Sequence, residues 1–72
     1  KLSYKLQREL EALPKQLEAL EAEIETLQLQ VNEPGFFNQD PNETQATLSR
    51  LQAAEQELET AFERWEELES MQ

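Results

Sequence analysis

Apolar residues recur in alternating steps of four and three along the first half of the chain. The run has eight positions, which are Leu6, Leu10, Leu13, Leu17, Leu20, Ile24, Leu27 and Val31. A mean step of 3.5 residues keeps one narrow apolar stripe on the same side of a helix, so this spacing is typical of the seam of a left-handed coiled coil. The stripe predicts a long helix over about residues 3–31 that needs a second helix lying against it.

The second half of the chain supplies a matching stripe. Its apolar positions again follow heptad spacing, and they are Leu51, Ala54, Leu58, Ala61, Trp65 and Leu68. Pro34 and Gly35 interrupt the first helix, and Asp40 followed by Pro41 is typical of a helix start. We therefore expect an all-α fold, a single antiparallel coiled-coil hairpin of residues 1–72. Its turn would cover about residues 32–41 and its second helix about residues 42–70.

Pro14 contradicts the helix around it. A proline inside a helix removes one N–H donor and clashes with the carbonyl four residues earlier, at a cost of about 3 kcal/mol. Leu13 and Leu17 nevertheless keep the heptad register across it. We expect a disturbed first helix, with a kink or a short 3₁₀ segment near residues 10–14, rather than a helix end. Pro14 is then either a recognition feature or a bend that only shapes the hairpin.

Four phenylalanine and tryptophan side chains are candidates for packing or recognition. Phe36 and Phe37 lie in the turn. We expect at least one of them to pack on the tip of the hairpin, while an exposed ring would offer a contact to a partner. Trp65 falls at a seam position, and we expect Phe62 to lie on the flank of the seam, next to Pro14. Burial of both rings would make the open end, where the chain termini meet, the best-packed part of the hairpin.

Charge bears on the class of partner. The chain carries 16 acidic and 6 basic residues, for a formal net charge of -10. This balance disfavours DNA and RNA, since their binding depends on neutralisation of phosphates by lysine and arginine. Five cations nevertheless gather near the open end and are candidate nucleic-acid-binding residues: Lys1, Lys5, Arg8, Lys15 and Arg64.

Carboxylates can neutralise part of this basic cluster. We expect ion pairs between Lys15 and Glu11, and between Arg8 and either Glu66 or Glu69.

Farther along the hairpin, the expected register brings like charges together and makes the waist acidic. It places Glu21 near Glu55, and Glu23 near Glu57, so each pair opposes association weakly. The waist is either a solvated charged surface or a weak site for a divalent cation.

Several classes of chemistry have no residues to support them. The chain has no cysteine and no histidine, and its single glycine lies beside a proline in the turn. We find no nucleophile with a base, no glycine-rich phosphate loop and no metal-ligand spacing, and thus expect no catalytic residue, metal, cofactor or small-molecule substrate. No apolar run approaches the roughly 20 residues that span a bilayer. Because the chain opens at Lys1, almost inside a helix, we expect a piece of a longer protein.

Four strings carry a family resemblance: KLSYK at residues 1–5, RELEALP at 8–14, LEALE at 17–21 and FERWEELE at 62–69. Together they resemble the C-terminal domain of ABC-F ATPases of the Uup type. The resemblance implies a soluble, cytoplasmic parent with two ATP-binding cassettes, which bind ATP and Mg²⁺ outside this chain, and no membrane domain. It implies work on ribosomes or nucleic acid, with the hairpin as an accessory DNA-binding domain. The family's proline corresponds to Pro14, and the aromatic residue of its ERW motif to Trp65.

Two functions follow from these observations. The first is an accessory hairpin, monomeric, through which the parent engages DNA or ribosomal RNA. The second is a structural or protein–protein interaction hairpin with no nucleic-acid contact. The net charge favours the second, and the resemblance favours the first.

Overall fold

The hairpin consists of two long helices joined by a short turn. The structure is a computed structural model that describes residues 2–72, so the candidate residue Lys1 lies outside the described residues. Helix α1 covers Tyr4–Val31, a 3₁₀ helix covers Phe36–Asn38, and helix α2 covers Pro41–Ser70. The described residues form no strand and measure 53 × 16 × 15 Å. The predicted all-α hairpin is confirmed.

Local capping explains where each helix begins. The Ser3 side chain accepts a hydrogen bond from the Leu6 N–H at 3.3 Å and caps α1. The Asp40 carboxylate accepts one from the Asn42 N–H at 2.8 Å, and Pro41 is the first residue of α2. A capping side chain satisfies an N–H group that has no partner in the first turn, and proline has no N–H to leave unsatisfied there.

The core is the seam between the helices. Its buried members come from both heptad stripes: Leu10, Leu13, Leu20, Ile24, Ala54, Ala61 and Leu68. Ala54 and Leu68 are fully shielded from solvent. Small alanine side chains allow two helices to approach closely, whereas leucines on the facing helix fill the remaining space. The stripe that predicts the hairpin therefore also forms its core.

Pro14 lies within an α-helix that continues through it. Every residue from Tyr4 to Val31 is α-helical, so the 3₁₀ segment that we expected near residues 10–14 is wrong. Pro14 is exposed, while Leu10 and Leu13 beside it are buried in the seam. Burial of these leucines holds the register across the proline and offsets its local cost. A kink at this point stays a prediction.

The two phenylalanines of the turn have different surroundings. Phe36 is buried at the tip, whereas the Phe37 ring is 69% exposed. The two rings meet edge to face, with centroids 4.9 Å apart. The Thr44 hydroxyl donates a hydrogen bond to the Phe36 carbonyl at 3.3 Å and ties the turn to α2. One ring thus packs on the tip, and the other faces solvent.

Phe62 is exposed, contrary to expectation. Its side chain is 48% exposed, and its ring lies 5.9 Å from the Trp65 ring, which is partly buried. The predicted burial of Phe62 over Pro14 is wrong, because a residue on the flank of a two-helix seam has solvent on its outer side. At the open end the fully buried side chain is Leu68.

Candidate nucleic-acid interface

Arg64, a predicted nucleic-acid-binding residue, ties the two helices together at the open end. Its Nε and Nη2 donate to the two carboxylate oxygens of Glu9 on α1, at 2.6 and 3.0 Å. Its Nη1 pairs with Glu67 on its own helix. A planar guanidinium that meets both oxygens of a carboxylate fixes the relative orientation of the two groups. The hydrogen-bonding capacity of Arg64 is thus largely used inside the hairpin.

Arg50 makes the equivalent bridge two heptads away. Its Nη2 donates to Glu23 at 2.6 Å, its Nε contacts the second oxygen of Glu23, and its Nη1 donates to Glu57 at 2.9 Å. The predicted proximity of Glu23 and Glu57 is confirmed, but the Arg50 guanidinium lies between the two carboxylates and offsets the repulsion expected between them. The apolar pattern and the net charge do not predict this role for Arg50. Heptad position is the sequence signal for both bridges. The two arginines and the two glutamates each immediately precede a residue at position a of the heptad, which belongs to the seam: Glu9, Glu23, Arg50 and Arg64.

Both bridges shift the ionisation of their carboxylates. The hydrogen bond from Arg64 lowers the pKa of Glu9, with the charges of Arg64 and Lys5 acting in the same direction. The hydrogen bond from Arg50 likewise lowers the pKa of Glu23. The pKa values of Arg50 and Arg64 are raised by the same bonds. All four groups are therefore charged at neutral pH.

The other described cations, Lys5, Arg8 and Lys15, form an exposed group on α1. None of them makes an ion pair with another of residues 2–72, so the pairs expected for Arg8 with Glu66 or Glu69 and for Lys15 with Glu11 are wrong. The Arg8 guanidinium instead lies 5.8 Å from the centre of the exposed Tyr4 ring. These three cations are available to an external anion.

Heptad position places the three cations on one side of the hairpin. Arg8 and Lys15 are one heptad apart on the side of α1 opposite its seam, and Lys5 lies one turn before Arg8. At 1.5 Å per residue, Lys5 and Lys15 are about 15 Å apart along the helix. We call Lys5, Arg8 and Lys15 the α1 basic face. Lys1 has the same heptad position as Arg8 in the sequence.

The charge of α2 near the open end is opposite. Residues 55–70 carry seven glutamates and one arginine, whereas residues 2–15 carry three cations and two glutamates. The negative charge is therefore concentrated on one helix, and the α1 basic face lies on the other.

Comparisons with known proteins identify the family of a hairpin with this geometry. The family model for the ABC transporter C-terminal domain matches residues 1–70. The chain belongs to the ABC transporter C-terminal domain family. Within this family, it is 61% identical over 71 residues to the ATP-binding protein Uup of Escherichia coli, a match that covers 99% of this chain and 11% of that protein.

Further relatives support the same subgroup of the family. The ATP-binding protein Uup-like of Haemophilus influenzae is 59% identical over 96% of this chain and 15% of its own length. A solved structure, of a Uup C-terminal domain described as a DNA-binding coiled coil motif, has a TM-score of 0.91 and 62% identity. That match covers 96% of this chain and 81% of the solved one. The predicted relationship to Uup-type proteins is confirmed. The chain spans between a tenth and a sixth of the curated relatives' length.

Two further properties concern residues 2–72 alone. Neither helix offers an apolar stretch of the length needed for a bilayer crossing. Over the same residues, no group of three or more potential ligands is arranged to hold a metal ion.

Proposed function

We propose that this chain is an accessory DNA-binding domain of an ABC ATP-binding protein, and that DNA phosphates contact the α1 basic face. The observation that carries the proposal is the division of the cations: Arg50 and Arg64 are bound to glutamates, whereas Lys5, Arg8 and Lys15 are exposed and unpaired among the described residues. The relative described as a DNA-binding coiled coil supports the proposal at 62% identity.

The net charge of -10 is compatible with such a contact. The hairpin is 15–16 Å across, whereas the Debye length at physiological ionic strength is about 8 Å. Phosphates bound to the α1 basic face would therefore be largely screened from carboxylates on the far side of α2. Repulsion from the acidic helix would instead orient the hairpin, so that DNA meets α1.

The small number of cations limits the strength of binding. On duplex DNA, each neutralised phosphate contributes about -0.9 to the slope of log K against log salt, so three contacts give a slope of about -2.7. Phosphate contacts carry no sequence information, and we expect little discrimination between sequences. Weak, salt-sensitive binding is what an accessory domain adds to a larger protein that has other contacts with DNA.

The test is fluorescence anisotropy of labelled linear and branched DNA at low salt, comparing two triple variants of equal net charge. Lys5→Gln, Arg8→Gln, Lys15→Gln removes the α1 basic face. The control, Gln45→Glu, Gln52→Glu, Gln56→Glu, adds three carboxylates at exposed positions of α2 and leaves the basic face intact. We expect the first variant to lose binding together with its salt dependence, and the control to retain most of both.

Two outcomes would contradict the proposal. Equal losses in the two variants would show that net charge, not the basic face, governs binding. If the wild-type chain binds neither DNA form at low salt, the chain does not bind DNA directly. That result would favour the second candidate function, a structural or protein–protein interaction hairpin, which the net charge of -10 also favours.

The proposal also covers the location, oligomeric state and ligands of the parent protein. We place the protein in the cytoplasm, as a monomer at the level of this hairpin, with ATP and Mg²⁺ bound elsewhere in the parent because the relatives are named ATP-binding proteins. Ribosomal RNA presents the same phosphate chemistry as DNA. A labelled RNA hairpin in the same titration would separate a preference for DNA from general binding to phosphates.

A further inference from the structure

One flank of the seam carries an apolar groove that the two helices leave open. Its floor consists of Leu17 of α1 and of Leu58 and Phe62 of α2. Leu17 and Leu58 are half-buried, and Phe62 is 48% exposed. We call this feature the Phe62 groove. An aromatic ring that is half exposed between two half-buried leucines provides an apolar surface that a further side chain can cover.

The rim of the groove is acidic. Glu21 lies on the α1 side, and Glu55, Glu59 and Glu63 lie on the α2 side. No cation of residues 2–72 pairs with any of these four carboxylates. Glu21 and Glu55, which the predicted register places near each other, both line this groove, and no arginine pairs with either of them.

The opposite flank has a different construction. There, Arg64 reaches across to Glu9, and Arg50 reaches across to Glu23. That flank also has a groove, but polar side chains such as Gln16 and Thr60 line it, and the carboxylates of Glu9 and Glu57 beside it are paired with arginine. The two flanks therefore differ in charge balance: on one the glutamates of the groove are bound to arginines, and around the Phe62 groove they are unpaired among residues 2–72.

We propose that the Phe62 groove binds an amphipathic helix of a partner protein, with apolar residues along one face and lysine or arginine beside them. The apolar face would cover Phe62 and the two leucines, as a third helix covers the flank of a helix pair. The adjacent cations would meet the four carboxylates, whose charge excludes acidic helices. A second copy of this chain fits poorly, since each copy carries a net charge of -10.

The test uses a designed 21-residue peptide with leucine at heptad positions a and d and lysine at e and g. Its lysines oppose self-association, and it contains no tryptophan. Trp65 is the single tryptophan of the chain and contacts the Phe62 ring, so its emission reports occupancy of the groove. We expect the emission of Trp65 to change saturably as this peptide is added. We expect no such change with a peptide in which glutamate replaces lysine, or with one in which serine replaces leucine.

Two matched variants locate the site. Glu59→Gln, Glu63→Gln removes two rim carboxylates, and we expect peptide binding to weaken by about fivefold, since exposed ion pairs are individually weak. The control Glu33→Gln, Glu43→Gln removes the same charge at the tip of the hairpin, where we expect less than a twofold change. Phe62→Ser should abolish binding while circular dichroism shows an intact hairpin, because the ring is half exposed.

Four results would overturn the proposal. They are no saturable change in Trp65 emission, equal binding of the serine peptide, equal weakening in the tip control, and self-association of the chain without peptide in analytical ultracentrifugation. The proposal is independent of DNA binding. The variant lacking the α1 basic face should bind the peptide at least as well as the wild type does, so the failure of either proposal can be recognised separately.

Discussion

Leu68 is the side chain whose truncation we expect to destabilise the hairpin most. It is fully buried at the open end, whereas its neighbour Trp65 is only partly buried. Replacing a buried leucine by alanine removes apolar contacts and leaves a cavity, at a cost of about 2–5 kcal/mol. Two helices can close partly on that space, so we expect Leu68→Ala to lower the free energy of unfolding by about 3 kcal/mol.

This loss is large for a chain of 72 residues. At about 0.05–0.15 kcal/mol per residue, the whole hairpin has a stability of about 4–11 kcal/mol. The variant should therefore remain folded in the cold, while its Tm falls by about 12–24 °C. Urea and thermal unfolding, followed by circular dichroism at 222 nm, measure both quantities.

Two comparison variants test whether burial is the cause. Phe62→Ala should cost about 1–2 kcal/mol, since only part of the ring is shielded from solvent. Leu29→Ala, at a position that is 64% exposed, should change stability by less than about 0.5 kcal/mol. A larger loss for Phe62→Ala than for Leu68→Ala, or an equal loss for Leu29→Ala, would refute the reasoning.

Three further predictions follow from the described contacts. The pKa values of Glu9 and Glu23 are lowered in the folded state from an ordinary value of 4.5, so their stabilising contribution is present above that pH and lost as the pH falls below it. The Tm should therefore decrease below about pH 4.5, and a Tm that rises there would contradict this. Arg64→Lys keeps the charge but loses the bidentate geometry, so NMR titration should show the pKa of Glu9 moving back towards 4.5 while DNA affinity stays unchanged. A parallel loss of DNA affinity would show that Arg64 contacts phosphates. Pro14→Ala should stabilise the hairpin by up to about 3 kcal/mol in urea unfolding, since it restores an N–H donor inside a continuous helix; a destabilised variant would show that the local structure requires proline.

The sequence predicted the elements whose causes are local. Heptad spacing specifies which residues form the seam, and the caps at Ser3 and Asp40 depend on side chains within three residues of the groups they bind. Pro14 is the exception in α1, since its local cost favours a kink or a short 3₁₀ segment, whereas the chain stays α-helical through it. Burial of Leu10 and Leu13 is a tertiary effect, and propensity alone gives no measure of it.

The sequence was less informative about which charges pair. Several glutamates lie within reach of each cation near the open end, and spacing along one helix does not choose among them. Arg8 was expected to reach α2, yet its heptad position is on the outer side of α1, and it lies instead beside Tyr4. Arg64 precedes a seam position and makes the contact to the other helix. Heptad position, applied to charged as well as apolar residues, is the signal that separates these two arginines.

Some cations of the hairpin are paired with glutamates and others are not, and this difference explains how one acidic hairpin can have surfaces that prefer partners of opposite charge. If every cation were paired with a glutamate, the net charge would describe all faces, and DNA would be repelled everywhere. Two arginines instead pair with glutamates on one flank of the seam, which leaves the α1 basic face with uncompensated positive charge and the Phe62 groove with uncompensated negative charge. The α1 basic face lies on the side of α1 opposite the seam, whereas the Phe62 groove lies between the two helices. Each surface therefore presents its own charge and can select a partner of the opposite charge.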